Sequence, residues 1–130
     1  MEDFIPFSEA DTSFQYAIDL FNTQEWYFAH DEFEAIWHKT DGMERITIQA
    51  ILQIAVAQVH LSNANFKGAT ILYGEGLGRL LNNKVPDLGL DLRKFIKTLE
   101  KRLLILQDGG DLTDTSVPKL VKRSLDSSLI

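Results

Sequence analysis

Residues 43–63, MERITIQAILQIAVAQVHLSN, decide the fold of this 130-residue chain. The segment contains neither proline nor glycine, and its apolar side chains would surround almost the whole circumference of an α-helix. A helix that is apolar on nearly every side is normally the buried centre of a larger group of helices. We therefore predict that this segment is the central third helix of an all-α bundle.

On either side of this segment, apolar residues recur with the 3.6-residue period of a helix, and turn or capping residues separate the repeats. The pattern predicts helix one from Asp11, Thr12 or Ser13 to about residue 22, and helices two, four and five at about 23–39, 66–82 and 90–107. Helix four contains three glycines, which a helix tolerates where another backbone packs closely. We expect one domain, with residues 1–10 as an N-terminal arm, 11–108 as a compact bundle of about five helices and 109–130 as an extended C-terminal arm.

Composition and charge exclude several classes of function. The chain has no cysteine, which excludes disulfides and thiolate chemistry and is typical of a reducing cytosol. Its start is acidic and lacks the pattern of a secretory signal, and no stretch has the length and uniform hydropathy of a membrane span. We therefore expect a cytoplasmic protein that does not bind membranes.

Charge is unevenly distributed along the chain, and the net value of −6 argues against nucleic-acid binding. Residues 1–44 hold eleven acids and one base, whereas residues 93–123 hold eight bases. The basic segment could attract an anion, although attraction between the two ends or plain solvation explains it more simply. The sequence identifies neither a cofactor nor a small-molecule or protein partner, and it is compatible with a homo-oligomer.

Polar residues at helical spacing mark the place where a function would lie. His30 and Glu34 are one turn apart on helix two, and His30 falls inside the apolar stripe that includes Trp37, so we expect it to be largely buried. A polar row runs along helix three and consists of Arg45, Gln49, Gln53 and His60. If helices two and three form an antiparallel hairpin, Arg45 meets Glu34, Trp37 or Asp41 near the turn. Gln49 and Gln53 then lie toward His30, and His60 is too distant to join them.

Three interpretations of these residues remain open. The first is a structural or protein-interaction module, in which these residues form a buried polar network that fixes how the helices pair and carries no chemistry. The second is a ligand or catalytic pocket, with His30 and Glu34 as candidate catalytic residues and Trp37, Arg45, Gln49, Gln53 and His60 as candidate ligand-binding residues. The third is a divalent-metal site that uses His30, Glu34 and either Asp31 or His60. Because the His-x-x-x-Glu pair occurs once, we assign no metal ligand, and the residues do not decide whether the protein is an enzyme.

The same residues resemble a known family. Phe21-Asn22, the run Glu25-Trp26-Tyr27-Phe28-Ala29-His30-Asp31, Glu34 and Trp37 look like the opening signature of the small helical proteins catalogued as domain of unknown function 309. The likeness continues through Arg45, Gln49, Gln53, Ala57, His60-Leu61, Asn65 and Gly68-Ala69, and covers roughly residues 14–81. The family usually has Glu after the histidine, where this chain has Asp31. The resemblance implies an all-helical bundle and implies no function.

Overall fold

Five α-helices follow one another in the computed structural model, which describes residues 7–9, 11–82 and 84–124. They are α1 (Thr12–Asn22), α2 (Trp26–Lys39), α3 (Met43–Ser62), α4 (Phe66–Leu81) and α5 (Leu92–Gln107). Within these described ranges the chain forms no strand, and its β pairing is a single antiparallel bridge between Leu90 and Lys122. The predicted all-α fold of five helices is confirmed. Most of the predicted N-terminal arm lies outside the described residues.

Capping residues set the ends of the helices. The side chain of Asp11 accepts a hydrogen bond from the backbone N–H of Ser13 at 2.7 Å, so α1 begins within the predicted range. Helix α2 begins at Trp26, two or three residues later than predicted, because Gln24 adopts a φ of 65° that no α-helix can include. Helix α5 begins at Leu92 because Asp91 caps it through the N–H of Lys94 at 3.1 Å.

Each helix packs against the next one along the chain, so that α3 lies between α2 and α4. The buried face of α3 consists of Thr47, Ile48, Ala50, Ile51, Ile54, Ala55, Ala57 and Gln58. Its opposite side, which carries the polar row, is half-buried rather than enclosed. The prediction of a buried central third helix is confirmed for one face, and the other face remains within reach of a ligand.

Phenylalanine rings close the core between the first and last helices. The ring of Phe21 on α1 lies 6.4 Å from that of Phe33 on α2 and 5.9 Å from that of Phe95 on α5, with edge-to-face geometry in both pairs. All three rings are buried. Such pairs add stabilisation beyond the burial of their area. The Phe21–Phe95 contact therefore joins α1 to α5.

The glycines of α4 have different environments. A Cβ atom at Gly76 would lie 2.9 Å from Ile54 Cδ1 and 3.1 Å from the carbonyl oxygen of Ala50, so α3 and α4 approach closely there. A Cβ atom at Gly74 or Gly78 would meet nothing within 4 Å. Close helix packing accounts for Gly76, and nothing in the structure explains the other two.

The C-terminal segment crosses the bundle in an extended conformation. The side chain of Asn22 donates to the carbonyl oxygen of Leu120 and accepts from the N–H of the same residue, both at 2.8 Å. Leu120 and Pro118 are buried against the bundle. The prediction of an extended C-terminal arm is confirmed for residues 116–124, which follow a turn at residues 113–115. Within the described part of the chain, no helix is long and apolar enough to traverse a bilayer.

Candidate functional site

His30 lies at the edge of the buried face of α2 and contacts two carboxylates. Its Nδ1 atom is 3.1 Å from Asp31 Oδ1, and its Nε2 atom is 3.9 Å from Glu34 Oε1. The side chain is 30% exposed, so His30 is half-buried at this edge and not fully enclosed. The buried face centres on Ala29 and Phe33, and His30 points about 100° and 60° away from them around the helix axis.

These three side chains form the only group of potential metal ligands within the described residues. One ligand atom from each of His30, Asp31 and Glu34 lies within 4.8 Å of the others. Both carboxylates are substantially exposed, at 55% for Asp31 and 46% for Glu34. The residues of the metal interpretation therefore lie together on one surface of α2, apart from His60.

Arg45 and Trp37 form the contact that joins α3 to α2 near the turn. The guanidinium carbon of Arg45 lies 3.8 Å from the centroid of the Trp37 ring, and its Nε donates to the carbonyl oxygen of Trp37 at 3.3 Å. Stacking of this kind fixes the plane of the guanidinium. The sequence named Trp37 among the three expected partners of Arg45, and the structure selects it.

Both partners retain unused hydrogen-bonding groups. Within the described residues, the two terminal nitrogens of Arg45 form no hydrogen bond, and the side chain makes no ion pair. The indole Nε1 of Trp37 is buried and has no partner there. Gln49, one turn beyond Arg45, is half-buried, and its amide forms no hydrogen bond with the described chain. The terminal nitrogens of Arg45 and the amide of Gln49 are therefore available to a ligand or to water, whereas the Trp37 indole N–H is enclosed.

Gln53 belongs to a different interface from the one predicted. Its amide nitrogen donates to Glu75 Oε1 at 2.9 Å, and its carbonyl oxygen accepts from Arg79 Nε at 3.0 Å. The expectation that Gln53 faces His30 is therefore wrong. Gln53 lies about 40° further around α3 than Gln49, and this rotation turns it toward α4.

His60 lies at the far end of α3, as expected from its position. Its Nδ1 atom pairs with the side-chain amide of Asn65 at 3.2 Å. The polar row of α3 is thus divided among α2, α4 and the α3–α4 turn, and it does not form one connected network.

Sequence reasoning missed a buried polar cluster on the other side of α3. Arg102 is 4% exposed, and its Nε donates to the hydroxyl of Tyr73 at 2.7 Å. The Tyr73 hydroxyl donates in turn to Gln58 Oε1, which also accepts from an Arg102 terminal nitrogen at 3.3 Å. The other terminal nitrogen of Arg102 donates to Thr115 Oγ1 at 2.8 Å and to the carbonyl oxygen of Ser116 at 3.1 Å. The cluster therefore links α3, α4, α5 and the C-terminal arm.

A signal for this cluster was present in the sequence. Arg102 continues the buried spacing of α5, since it follows Phe95 and Leu99 and precedes Leu106 at intervals of four, three and four residues. A charged residue at such a position must be paired or hydrogen-bonded. Burial raises the pKa of Tyr73 to about 12, although the adjacent Arg102 favours the phenolate.

Two cavities of the described structure lie away from the predicted site residues. One of about 400 Å³ lies between the start of α1 and α2 and is lined in part by Phe7, Phe14, Ile36 and Thr40. A second, of about 180 Å³, lies between α5 and the C-terminal arm. None of the residues predicted to bind a ligand lines either cavity.

Comparison with known proteins gives one match. The model of the family described as Domain of unknown function (DUF309) matches residues 14–72, which span α1 to the first half of α4. The resemblance recognised in the sequence is confirmed over those residues. No curated protein and no solved structure matches the chain significantly.

Proposed function

We propose that the protein binds a small molecule that carries a carboxylate or phosphate group, on the face formed by His30, Glu34, Trp37, Arg45 and Gln49. We name these five residues the α2–α3 face. The observation that carries the proposal is the geometry of Arg45. Its guanidinium stacks on Trp37 at 3.8 Å, and its two terminal nitrogens form no hydrogen bond within the described chain.

The stacked arrangement favours recognition of a planar or multivalent anion. A guanidinium presents a fork of N–H groups that matches two oxygens of a carboxylate or phosphate. Here Nε is used by the Trp37 carbonyl, and both terminal nitrogens remain unbonded within the described chain. Because stacking already limits the motion of Arg45, a ligand would order few further rotamers on binding.

Neighbouring residues supply the rest of the recognition surface. Gln49 is on the same side of α3 as Arg45, one turn away, and its free amide can both donate and accept. On α2, His30 is held between Asp31 and Glu34 and can exchange a hydrogen bond or a proton with a bound group. This arrangement supports ligand binding as the main function. The same position would also let His30 act as an acid or base on the bound ligand.

The test is a titration followed by nuclear magnetic resonance, with succinate and glycerol 3-phosphate as probes. We expect the Trp37 indole N–H and the Arg45 Nε–H signals to shift. Arg45→Lys retains the charge but loses the fork and the stack, so it should weaken binding at least about tenfold, equivalent to 1.4 kcal/mol. Arg93→Lys, at an exposed position on α5, is the matched control and should leave binding unchanged. Absence of shifts with both probes, or equal affinities for the two variants, would refute the proposal.

A second candidate function is divalent-cation binding by His30 and Glu34, favoured by the convergence of ligand atoms described above. In this arrangement the ion joins His30 Nε2 and Glu34 Oε1. Asp31 accepts a hydrogen bond from Nδ1–H, as the outer partner of a metal-bound histidine commonly does. Mn²⁺ should then broaden the signals around residues 30–34 in the parent and not in His30→Ala. The control His38→Ala alters an exposed histidine of the same helix and should retain the broadening; equal broadening in both variants would exclude this site.

A further inference from the structure

A positively charged cleft between α5 and the C-terminal arm is separate from the α2–α3 face. Its volume is about 180 Å³. The residues that line it are Lys97, Thr98, Lys101, Arg102, Thr115 and Ser116. Three of the six are cationic and none is acidic, so the cleft concentrates positive charge in a protein whose net charge is −6.

Arg102 is the buried element of the cleft. All its hydrogen-bond acceptors are neutral: the Tyr73 hydroxyl, the Gln58 amide oxygen, the Thr115 hydroxyl and the Ser116 carbonyl. Within the described residues it forms no ion pair. A buried cation without a counter-ion loses hydration that neutral acceptors replace only in part. An anion in the adjoining cleft would supply the missing charge.

Lys97 and Lys101, which also line the cleft, add to the need for a negative charge there. Lys97 and Lys101 are one turn apart on α5, so their like charges repel each other along the cleft. Neither forms an ion pair within the described chain, and both are exposed. The repulsion between them decreases when an anion lies between their ammonium groups.

We propose that this cleft binds a small phosphate group, either inorganic phosphate or the phosphate of a small metabolite. The cleft is smaller than the usual 300–1,000 Å³ of sites for drug-sized ligands, so it suits a compact anion. Lys97, Lys101 and the Ser116 hydroxyl supply donors, and Arg102 supplies fixed charge beneath them. A bound phosphate would join α5 to the C-terminal arm.

The experiment compares sodium phosphate with sodium chloride and sodium acetate at equal ionic strength, because general screening is then the same in all three. Phosphate should raise the melting temperature in a saturable manner and shift the amide signals of Thr98, Thr115 and Ser116. Glycerol phosphate distinguishes the two sources: equal or tighter binding indicates a metabolite phosphate, and exclusion indicates the free ion. Acetate that binds as tightly as phosphate would overturn the assignment of a phosphate site.

Variants test the cleft without disturbing Arg102, whose loss could prevent folding. Lys97→Gln combined with Lys101→Gln should weaken phosphate binding by at least about tenfold. Lys39→Gln combined with Lys84→Gln removes the same charge from positions that do not line the cleft, and it should leave the affinity unchanged. Equal affinities for the two double variants would overturn the proposal. Shifts at Trp37 report on the α2–α3 face separately, so failure at one site is distinguishable from failure at the other.

Discussion

Replacement of Tyr73 by phenylalanine should destabilise the protein by about 3 kcal/mol. The substitution keeps the buried ring and removes only the hydroxyl, which accepts from Arg102 Nε at 2.7 Å and donates to Gln58. Gln58 Oε1 retains its contact with an Arg102 terminal nitrogen at 3.3 Å, but Arg102 Nε–H is left without an acceptor. A buried group stranded in this way costs about 1–3 kcal/mol, and more when it is charged.

Urea denaturation measures this loss as a change in the free energy of unfolding. The matched control is Tyr16→Phe, because Tyr16 is 54% exposed and its substitution should change stability by less than about 0.5 kcal/mol. If Tyr73→Phe were as mild as the control, the Tyr73–Arg102 hydrogen bond would contribute nothing net, and the reasoning about this cluster would be refuted.

The raised pKa of Tyr73 gives an independent check on the same variant. In the unfolded chain the phenol ionises near its usual pKa of 10, whereas burial in the folded protein raises the pKa to about 12. As pH rises, Tyr73 therefore loses its proton in the unfolded state before it does so in the folded state. The contribution of the buried, protonated phenol to the free energy of unfolding is complete below pH 10 and is lost between pH 10 and 12. Two pKa units correspond to about 3 kcal/mol. The parent should lose that much more stability than Tyr73→Phe across this range, and parallel pH profiles would contradict the assignment.

Four further substitutions test other parts of the structure by the same urea melts. Gly76→Ala should cost about 1–3 kcal/mol because its new methyl group would overlap α3. Gly78→Ala should stabilise the protein by up to about 1 kcal/mol because the space around it is open. Equal effects of the two substitutions would contradict the close approach of α3 and α4 at Gly76. Thr47→Val should cost about 1–2 kcal/mol, since it strands the Pro86 carbonyl that Thr47 Oγ1 contacts at 2.7 Å, and no loss would mean that this bond is not needed. His30→Ala should change stability by less than about 0.5 kcal/mol because its partners are exposed, and a larger loss would restore the interpretation as a structural network.

Helix number and order could be predicted because proline, glycine and capping residues punctuate a strong 3.6-residue period. The starts of α2 and α5 were less accurate, since each depends on a local backbone conformation. Gln24 turns the chain with a positive φ, and Leu90 pairs with Lys122, a residue 32 positions away. Neither the positive φ of Gln24 nor the Leu90–Lys122 bridge alters the 3.6-residue spacing of apolar residues from which the helices were predicted.

The positions of the candidate residues along their helices could be predicted from the sequence, whereas the partner of each side chain could not. Helical spacing placed His30 beside Glu34, and it gave Trp37 as one of three expected partners of Arg45. It could not show which neighbour each polar residue of α3 faces, because small rotations around the helix axis decide this. Gln53 turned to α4 for that reason. Arg102 was missed because a basic residue in an amphipathic helix is ordinarily taken as solvated, and its acceptors come from segments far along the chain.

Residues 14–72 carry the family match, yet they do not complete their own core. Phe21 packs on Phe95, and the side chain of Asn22 forms hydrogen bonds with the backbone of Leu120, 98 residues away. Gln58, moreover, reaches Arg102 through Tyr73, which lies one residue beyond the match. A fragment limited to residues 14–72 would expose the apolar surface around Phe21. It would also leave Asn22 and Gln58 without these hydrogen-bond partners. We therefore expect residues 14–72 to need α5 and the C-terminal arm in order to form a stable fold in this chain.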